Sequence, residues 1–216
     1  MKRSIAGISA ILVLASSLCG CAGKHKYTNS NEGTPDSPQN IATTELVEVD
    51  APAQQSESAE DAITELYGII YSQDGGDGFY RYMYPNAVSD YLRSQNTYTN
   101  YIQQYNEGQN AYISLMDHIP AIKAIASCTP LTDEQIEAAY VYITVNSKAL
   151  YPDFSESMIS ITKGYDLKMA ITDDTGNDAV DYACMIWIDG EGWKYIGRSA
   201  NSMVKAIDEY KSTLTT

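Results

Sequence analysis

Apolar residues recur at helical spacing where regular patterning begins, near residue 58. The segment 58–61 resembles a helix N-cap followed by an acidic first turn. The apolar positions of this predicted amphipathic helix are Ala59, Ile63, Leu66, Ile69 and Ile70. The helix should end before the glycine-rich stretch 74–78. A short second helix should then end at Tyr84-Pro85, because proline disfavours helical geometry in the residue before it.

Tyrosines follow at intervals of seven residues, at positions 91, 98, 105 and 112. On a helix this spacing keeps the rings on one face, with Tyr101 in the intermediate turn. We therefore expect one long helix from Tyr91 to Tyr112, and the pattern favours burial of its aromatic face. The alternative is an aromatic platform that stacks on a sugar or holds a peptide. The candidate contact residues are Tyr98, Tyr101, Tyr105 and, near the end of the chain, Trp193.

The hydrophobic period changes to two in the second half of the chain. Residues 121–127 suit a first strand, and a capping-box pattern at 132–135 predicts a helix, although the β-branched run 141–145 disfavours that helix. From residue 158, alternating segments are separated by turns at 173–178 and 189–192. Ser199 can cap a last helix. Together these patterns predict an α+β fold with helices first and an antiparallel sheet second.

The N-terminus carries a different signal. Lys2 and Arg3 precede an apolar stretch, Ile5 to Ala15, which falls short of the roughly 20 residues that a membrane span needs. Leu18-Cys19-Gly20-Cys21 resembles the lipobox of bacterial lipoproteins. Residues 1–20 are therefore predicted to be a lipoprotein signal peptide, and Cys21 the lipidated N-terminus on the extracytoplasmic side of the cell membrane. Several acyl chains, palmitate among them, would anchor it stably. Ordinary secretion after a residue such as Ala22 is the alternative.

Composition divides the rest of the chain into two parts. Residues 21–56 are mostly small and polar, which predicts the lipidated end and a disordered linker. Residues 57–216 contain nearly all the aromatic residues and are long enough for one domain. The formal charge of −14 becomes more negative by two when Lys2 and Arg3 are removed. Such an acidic chain repels nucleic acid, so the expected partners are the membrane, through the lipid, and an envelope protein or small ligand.

The order of elements and the closing segment suggest a family. Helix, short helix, long helix and meander, ending in Asp189-Gly190-Glu191-Gly192-Trp193-Lys194-Tyr195-Ile196, resemble the nuclear transport factor 2-like (cystatin-like) domains of bacterial lipoproteins. The resemblance covers most of Ser58 to Gly197. The helix at 132–147 and the one after Ser199 depart from the minimal pattern. The resemblance implies a cone, in which the N-terminal helices pack on a curved antiparallel sheet.

Two classes of function fit such a domain. The first is a non-catalytic binding or scaffold module for a cell-envelope ligand or partner protein. The second is an isomerase or dehydratase-type enzyme, which some relatives of this fold support and which acts on a small molecule. It needs a carboxylate base and a hydrogen-bond donor that converge. Asp166, Asp181 and the tyrosines are the residues that could be recruited.

Other reactive residues give weaker signals. Cys128 and Cys184 can form a disulfide in an exported protein, and two free thiols are the alternative. They lack the spaced Cys or His partners of a metal site, so no metal is expected. Asp117-His118 should be a solvent-exposed pair, because adjacent side chains point apart. The acidic loops 74–77 and 173–178 lack EF-hand spacing and should be solvated turns. We expect no catalytic residue and no cofactor.

Overall fold

A computed structural model describes residues 56–213. The predicted signal peptide, Cys21 and almost all of the predicted linker lie outside these described residues. Within them the chain forms six α-helices and four strands. In chain order they are α1 (Ala59–Ile70), α2 (Gly76–Met83), α3 (Asn86–Ser94), α4 (Tyr98–Ile113), β1 (Ala121–Pro130), α5 (Asp133–Lys148), β2 (Ile161–Thr172), β3 (Asp178–Ile188), β4 (Gly192–Ile196) and α6 (Ala200–Thr213).

Helix α1 begins where the capping pattern predicts. Ser58 is its N-cap, and the Ser58 hydroxyl accepts a hydrogen bond from the backbone N–H of Asp61 at 3.1 Å. Ile63, Leu66 and Ile70 form its fully buried face. Because α1 contacts all four strands, this face covers the sheet and closes the core.

The expected single helix from Tyr91 to Tyr112 is wrong, because the chain breaks between α3 and α4. Asn96 adopts a left-handed backbone with φ of 56°. Its N–H donates to the carbonyl of Arg93, and the N–H of Thr97 donates to that of Leu92, both at 2.9 Å. These two bonds form a Schellman motif, in which asparagine takes the place that glycine usually fills. The tyrosines at 91 and 98 therefore lie on different helices.

The four strands form one antiparallel sheet in the order β1-β2-β3-β4. β2 and β3 pair from Ile161↔Ile188 to Thr172↔Asp178 with one register shift, between Ile161 and Lys163, and the pairing of β1 with β2 shifts twice. The 3₁₀ turn Glu156–Met158 precedes β2, so the strand begins three residues later than the alternation predicts. Helices packed against a four-stranded antiparallel sheet confirm the predicted α+β class.

Helix α5 connects β1 to β2 and starts with the predicted capping box. The Thr132 hydroxyl accepts from the N–H of Gln135, and the Gln135 side chain accepts from the N–H of Thr132. The helix continues through the β-branched run that was expected to disfavour it. Ile143 and Thr144 are buried there, so packing overrides the weak intrinsic preference.

Different helices pack on the two faces of the sheet. Paired residues point to the same face and successive residues to opposite faces, so away from the register shifts the pairing shows which face each side chain occupies. Leu167, Met169, Ala183 and Met185 are fully buried on the face under α1. On the other face, α5 contacts β2, and α6 begins beside Asp166, whose carboxylate accepts the N–H of Ala200 at 2.9 Å.

Candidate functional site

Three of the predicted contact residues lie together around one buried ring. The rings of Tyr98, Tyr101 and Tyr105 are 6.2, 6.3 and 6.5 Å from that of Tyr80, measured between centroids. Tyr105 also stacks on Phe79 at 4.2 Å. These five residues, which we call the tyrosine cluster, hold α2 against α4. The cluster thus has a packing role, as the helical spacing of the tyrosines favoured.

Tyr98 is the most deeply placed of the three candidates. It is buried, and its hydroxyl donates to the carboxylate of Asp77 at 2.8 Å. The guanidinium of Arg93 lies 4.3 Å from the centre of its ring. Burial, and then the hydrogen bond to Asp77, raise the pKa of Tyr98 to about 12. Tyr98 is therefore a neutral packing residue with a satisfied polar tip.

Tyr101 and Tyr105 are only half-buried, so part of each ring faces solvent. Within the described residues the Tyr105 hydroxyl has no hydrogen-bond partner, and neither has the amide nitrogen of Gln109 one turn later. Burial raises the pKa of Tyr105, which keeps it protonated. Unpaired polar atoms on one side of α4 are costly to close off from water. Both unpaired atoms are themselves buried, so the tyrosine cluster packs beside two unsatisfied polar groups of α4.

Trp193 belongs to a second group of aromatic residues, on strands β2, β3 and β4. It is buried, and its ring lies 5.3 Å from Trp187 and 5.9 Å from Tyr165. Its indole N–H donates to the carbonyl of Ser56 at 3.1 Å. Trp193 therefore fixes the point where the chain enters the domain.

A carboxylate and several phenols meet under α1. Asp181 accepts a hydrogen bond from the hydroxyl of Tyr67, which is buried. Tyr195 is also buried, and within the described residues its hydroxyl has no partner. Burial first, and then the charge of Asp181, raise the pKa of both Tyr67 and Tyr195. These tyrosines stay neutral donors beside a carboxylate.

Asp166 and Asp181 do not converge as a catalytic pair would. Asp166 is opposite Cys184 in the register, so both point to the face where α6 begins. Cys184 and Asp181 are three residues apart on β3, which places them on opposite faces. Sequence reasoning identified both carboxylates as candidates. That they lie on opposite faces of the sheet follows only from the strand register.

The disulfide alternative for the two cysteines is wrong, because both thiols are free. Cys128 on β1 pairs with Leu167, and Cys184 on β3 pairs with Asp166, so β2 lies between them and their side chains point to opposite faces. Strands two apart are separated by roughly 10 Å, beyond the ~7 Å reach of a disulfide. Burial and nearby Glu60 raise the pKa of Cys128 to about 12, and burial and Asp166 raise that of Cys184. Both are poor nucleophiles.

Sequence reasoning missed Lys194, the most deeply buried charged side chain of the described residues. It is 1% exposed, and its ammonium donates to the carbonyl of Arg81 at 2.9 Å. It also lies 3.2 Å from the carboxylate of Glu191, which accepts the N–H of Asn86 at 2.7 Å. Burial lowers the pKa of Lys194 against the opposing effect of Glu191. No local pattern in the sequence singles out this lysine, because the complete burial of β4 is known only from the structure.

The surface also carries an open groove of about 380 Å³ beside α5. Its lining residues are Glu137, Tyr140, Val141, Glu156, Ser157 and Ile159. The hydroxyl of Tyr140 is occupied there, since it accepts the backbone N–H of Ile161 at 2.7 Å. None of the predicted contact residues lines this groove.

Among residues 56–213, no group of three His, Cys, Asp or Glu residues is arranged to hold a metal ion. None of the helices in this range has the length and apolar character to cross a bilayer. The chain matches no protein-family model, and searches of curated proteins and of solved structures find no match.

Proposed function

We propose that the protein is a membrane-anchored lipoprotein, lipidated at Cys21, whose domain is a non-catalytic binding or scaffold module. It would hold a cell-envelope ligand or a partner protein on the extracytoplasmic side of the membrane. We also propose that the domain belongs to the nuclear transport factor 2-like superfamily. The N-terminal helices and the antiparallel sheet that they cover support that assignment, with α5 as a departure between β1 and β2.

The observation that carries the binding proposal is the filled interior between α1 and the sheet. Leu167, Met169 and Met185 are fully buried, and Tyr195 is 1% exposed. An enzyme of the isomerase type needs a substrate within hydrogen-bond reach of its base. Side chains occupy the space next to Asp181 instead, which favours recognition on the outside of the domain.

The outer face of the sheet offers a contact surface of its own. Val180 and Tyr182 on β3 are 45% and 43% exposed, although both are large and apolar in character. Across the register, Val180 is next to Ala170, and Tyr182 is next to Lys168. Tyrosine is enriched at protein contact surfaces, because its ring is apolar and its hydroxyl can stay in water.

The proposal is tested by capture from envelope extracts with three alanine variants of the full chain. Tyr182→Ala should weaken capture of a specific partner and leave the melting temperature nearly unchanged. Tyr101→Ala should weaken capture and also lower the melting temperature, because Tyr101 packs in the tyrosine cluster. Met158→Ala is the matched control, since Met158 is 42% exposed at a distant place, before β2. Equal capture by all variants and the wild type would contradict a partner surface at these tyrosines.

The contact between Tyr67 and Asp181 favours one alternative, an enzyme that acts on a small carbonyl compound. A carboxylate and neutral phenols are the groups that proton abstraction next to a carbonyl requires. The purified full chain should then turn over such a substrate, and Asp181→Asn should abolish the turnover. Asp166→Asn is the control, because Asp166 faces the other side of the sheet. Turnover that depends on Asp181 alone would replace the binding proposal.

A further inference from the structure

A lysine ammonium faces two indole rings at the end of the sheet where the chain enters the domain. The Nζ atom of Lys163 lies 4.9 Å from the ring centre of Trp187 and 5.0 Å from that of Trp193. Both distances are within the roughly 6 Å range of cation–π attraction. One cation therefore contacts two aromatic faces at once.

The sheet register builds this arrangement. Lys163 pairs with Trp187, and Trp187 pairs with Trp193, so the three residues form one rung across β2, β3 and β4 and point to the same face. Tyr165 lies on that face two residues further along β2. The indoles are close to perpendicular, at 79°, and the Tyr165 ring is inclined by 56° to Trp193. Two indole rings thus face the ammonium, and Tyr165 packs beside Trp193; we call these three rings the aromatic cage.

The cage is accessible from solvent through the lysine itself. Lys163 is exposed, Trp187 and Tyr165 are half-buried, and Trp193 is buried under the groups around it. An exposed lysine side chain can leave its contact at little cost, since an exposed cation–π pair contributes only about 0.5–1 kcal/mol. Its departure would uncover the two indole faces that the ammonium now contacts.

We propose that the aromatic cage binds an alkylammonium group and that Lys163 occupies it as an internal ligand until an external ammonium displaces it. The acidic composition of the chain favours a cationic ligand, because 28 acidic residues against 14 basic ones attract cations toward the domain. Quaternary ammonium groups are the cations that aromatic cages recognise best. The ammonium can belong to a free solute or to a lipid headgroup. This site is separate from the tyrosine cluster and does not depend on its role.

Tryptophan fluorescence provides a selective test, because Trp187 and Trp193 are the only two tryptophans of the chain. Choline is titrated into the full chain in a non-ionic detergent. Wild type should show a saturable change, and Lys163→Met should bind choline about two- to fivefold more tightly, as loss of an exposed cation–π competitor implies. Lys168→Met is the matched control, since this exposed lysine on the same strand points to the other face, and it should bind as the wild type does.

Two further measurements decide the ligand class and its source. Dimethylbutanol, the uncharged carbon isostere of choline, should give no saturable change, and Tyr165→Leu should weaken choline binding. Vesicles of phosphatidylcholine that shift the fluorescence indicate a headgroup ligand, whereas a response to free choline alone indicates a solute. A flat titration in both wild type and Lys163→Met would overturn the proposal. Equal binding of choline and its neutral isostere would overturn it as well.

Discussion

The ammonium group of Lys194 lies 3.2 Å from the carboxylate of Glu191, and together they join the ends of two helices. Lys194 donates to the carbonyl of Arg81 in the last turn of α2, and Glu191 accepts the N–H of Asn86 at the start of α3. A cation at a helix C-terminus and an anion at an N-terminus each complement the helix dipole. The pair therefore satisfies backbone groups on both sides of Tyr84-Pro85, where no intrahelical partner exists.

Lys194→Ala should lower the free energy of unfolding by about 3–5 kcal/mol, because it leaves Glu191 without its buried counter-charge. Urea unfolding of both proteins measures the difference. Lys205→Ala breaks the exposed pair of Lys205 with Glu209 and should change stability by less than about 1 kcal/mol. Equal effects of the two substitutions would show that burial gives the Lys194 pair no special weight.

Asn96→Ala should destabilise the domain by about 1–2 kcal/mol, since a side chain with a Cβ but no local hydrogen bond is strained in the left-handed region. Asn96→Gly should be neutral or slightly stabilising for the same reason. Chemical denaturation with both variants gives the sign. If residues 91–112 formed a single helix, alanine would stabilise it and glycine would not. Which of the two variants is more stable therefore distinguishes two helices from one.

Alkaline pH should unfold the domain partly through Tyr98. Its pKa is raised from 10.0 to about 12, so the unfolded state loses this proton at lower pH than the folded state. The stabilising contribution is complete below pH 10 and is lost as the pH rises from 10 toward 12. Tyr98→Phe should therefore show a shallower loss of stability in this window, as measured by urea unfolding at stepped pH values. An unchanged slope would mean that Tyr98 ionises as a solvated phenol does.

Cys21→Ser should release the protein from the membrane fraction or stall its processing, because the lipid chains could no longer be attached. Fractionation of cells and mass spectrometry of the N-terminus measure both outcomes. Cys19→Ser is the matched control and should leave the protein anchored. A Cys21→Ser variant that stays acylated and normally cleaved would place the lipid on another residue.

Local sequence signals predicted much of the fold. Ser58 and Thr132 cap helices because their hydroxyls need only neighbouring N–H groups. The loop 173–178 joins two strands in which apolar and polar residues alternate clearly. The break at Asn96 was missed because the prediction used the spacing of the tyrosines, and this spacing continues unchanged across the left-handed asparagine. Helix α5 was predicted from its capping box, and its β-branched end stays helical because burial, which is a tertiary effect, outweighs propensity there.

The candidate sites were less predictable, because each depends on strand register or on contacts between distant segments. Tyr98, Tyr101 and Tyr105 come together through their spacing on one helix. Trp193 was named as their companion, but its partners lie on β2 and β3. Lys163 and Lys194 carried no distinguishing local pattern, since only the pairing of three strands or two helix ends gives these lysines their neighbours.

The hydrogen bond between Trp193 and Ser56 also bears on mechanical load. If Cys21 anchors the chain to a membrane as proposed, tension from a bound partner would enter the domain at Ser56, and α1 begins three residues later. Because α1 contacts every strand, the pull is spread over the whole sheet and does not peel away one edge strand. An anchor at Cys21, as proposed, would thus load the domain through α1 and the Trp193 hydrogen bond together.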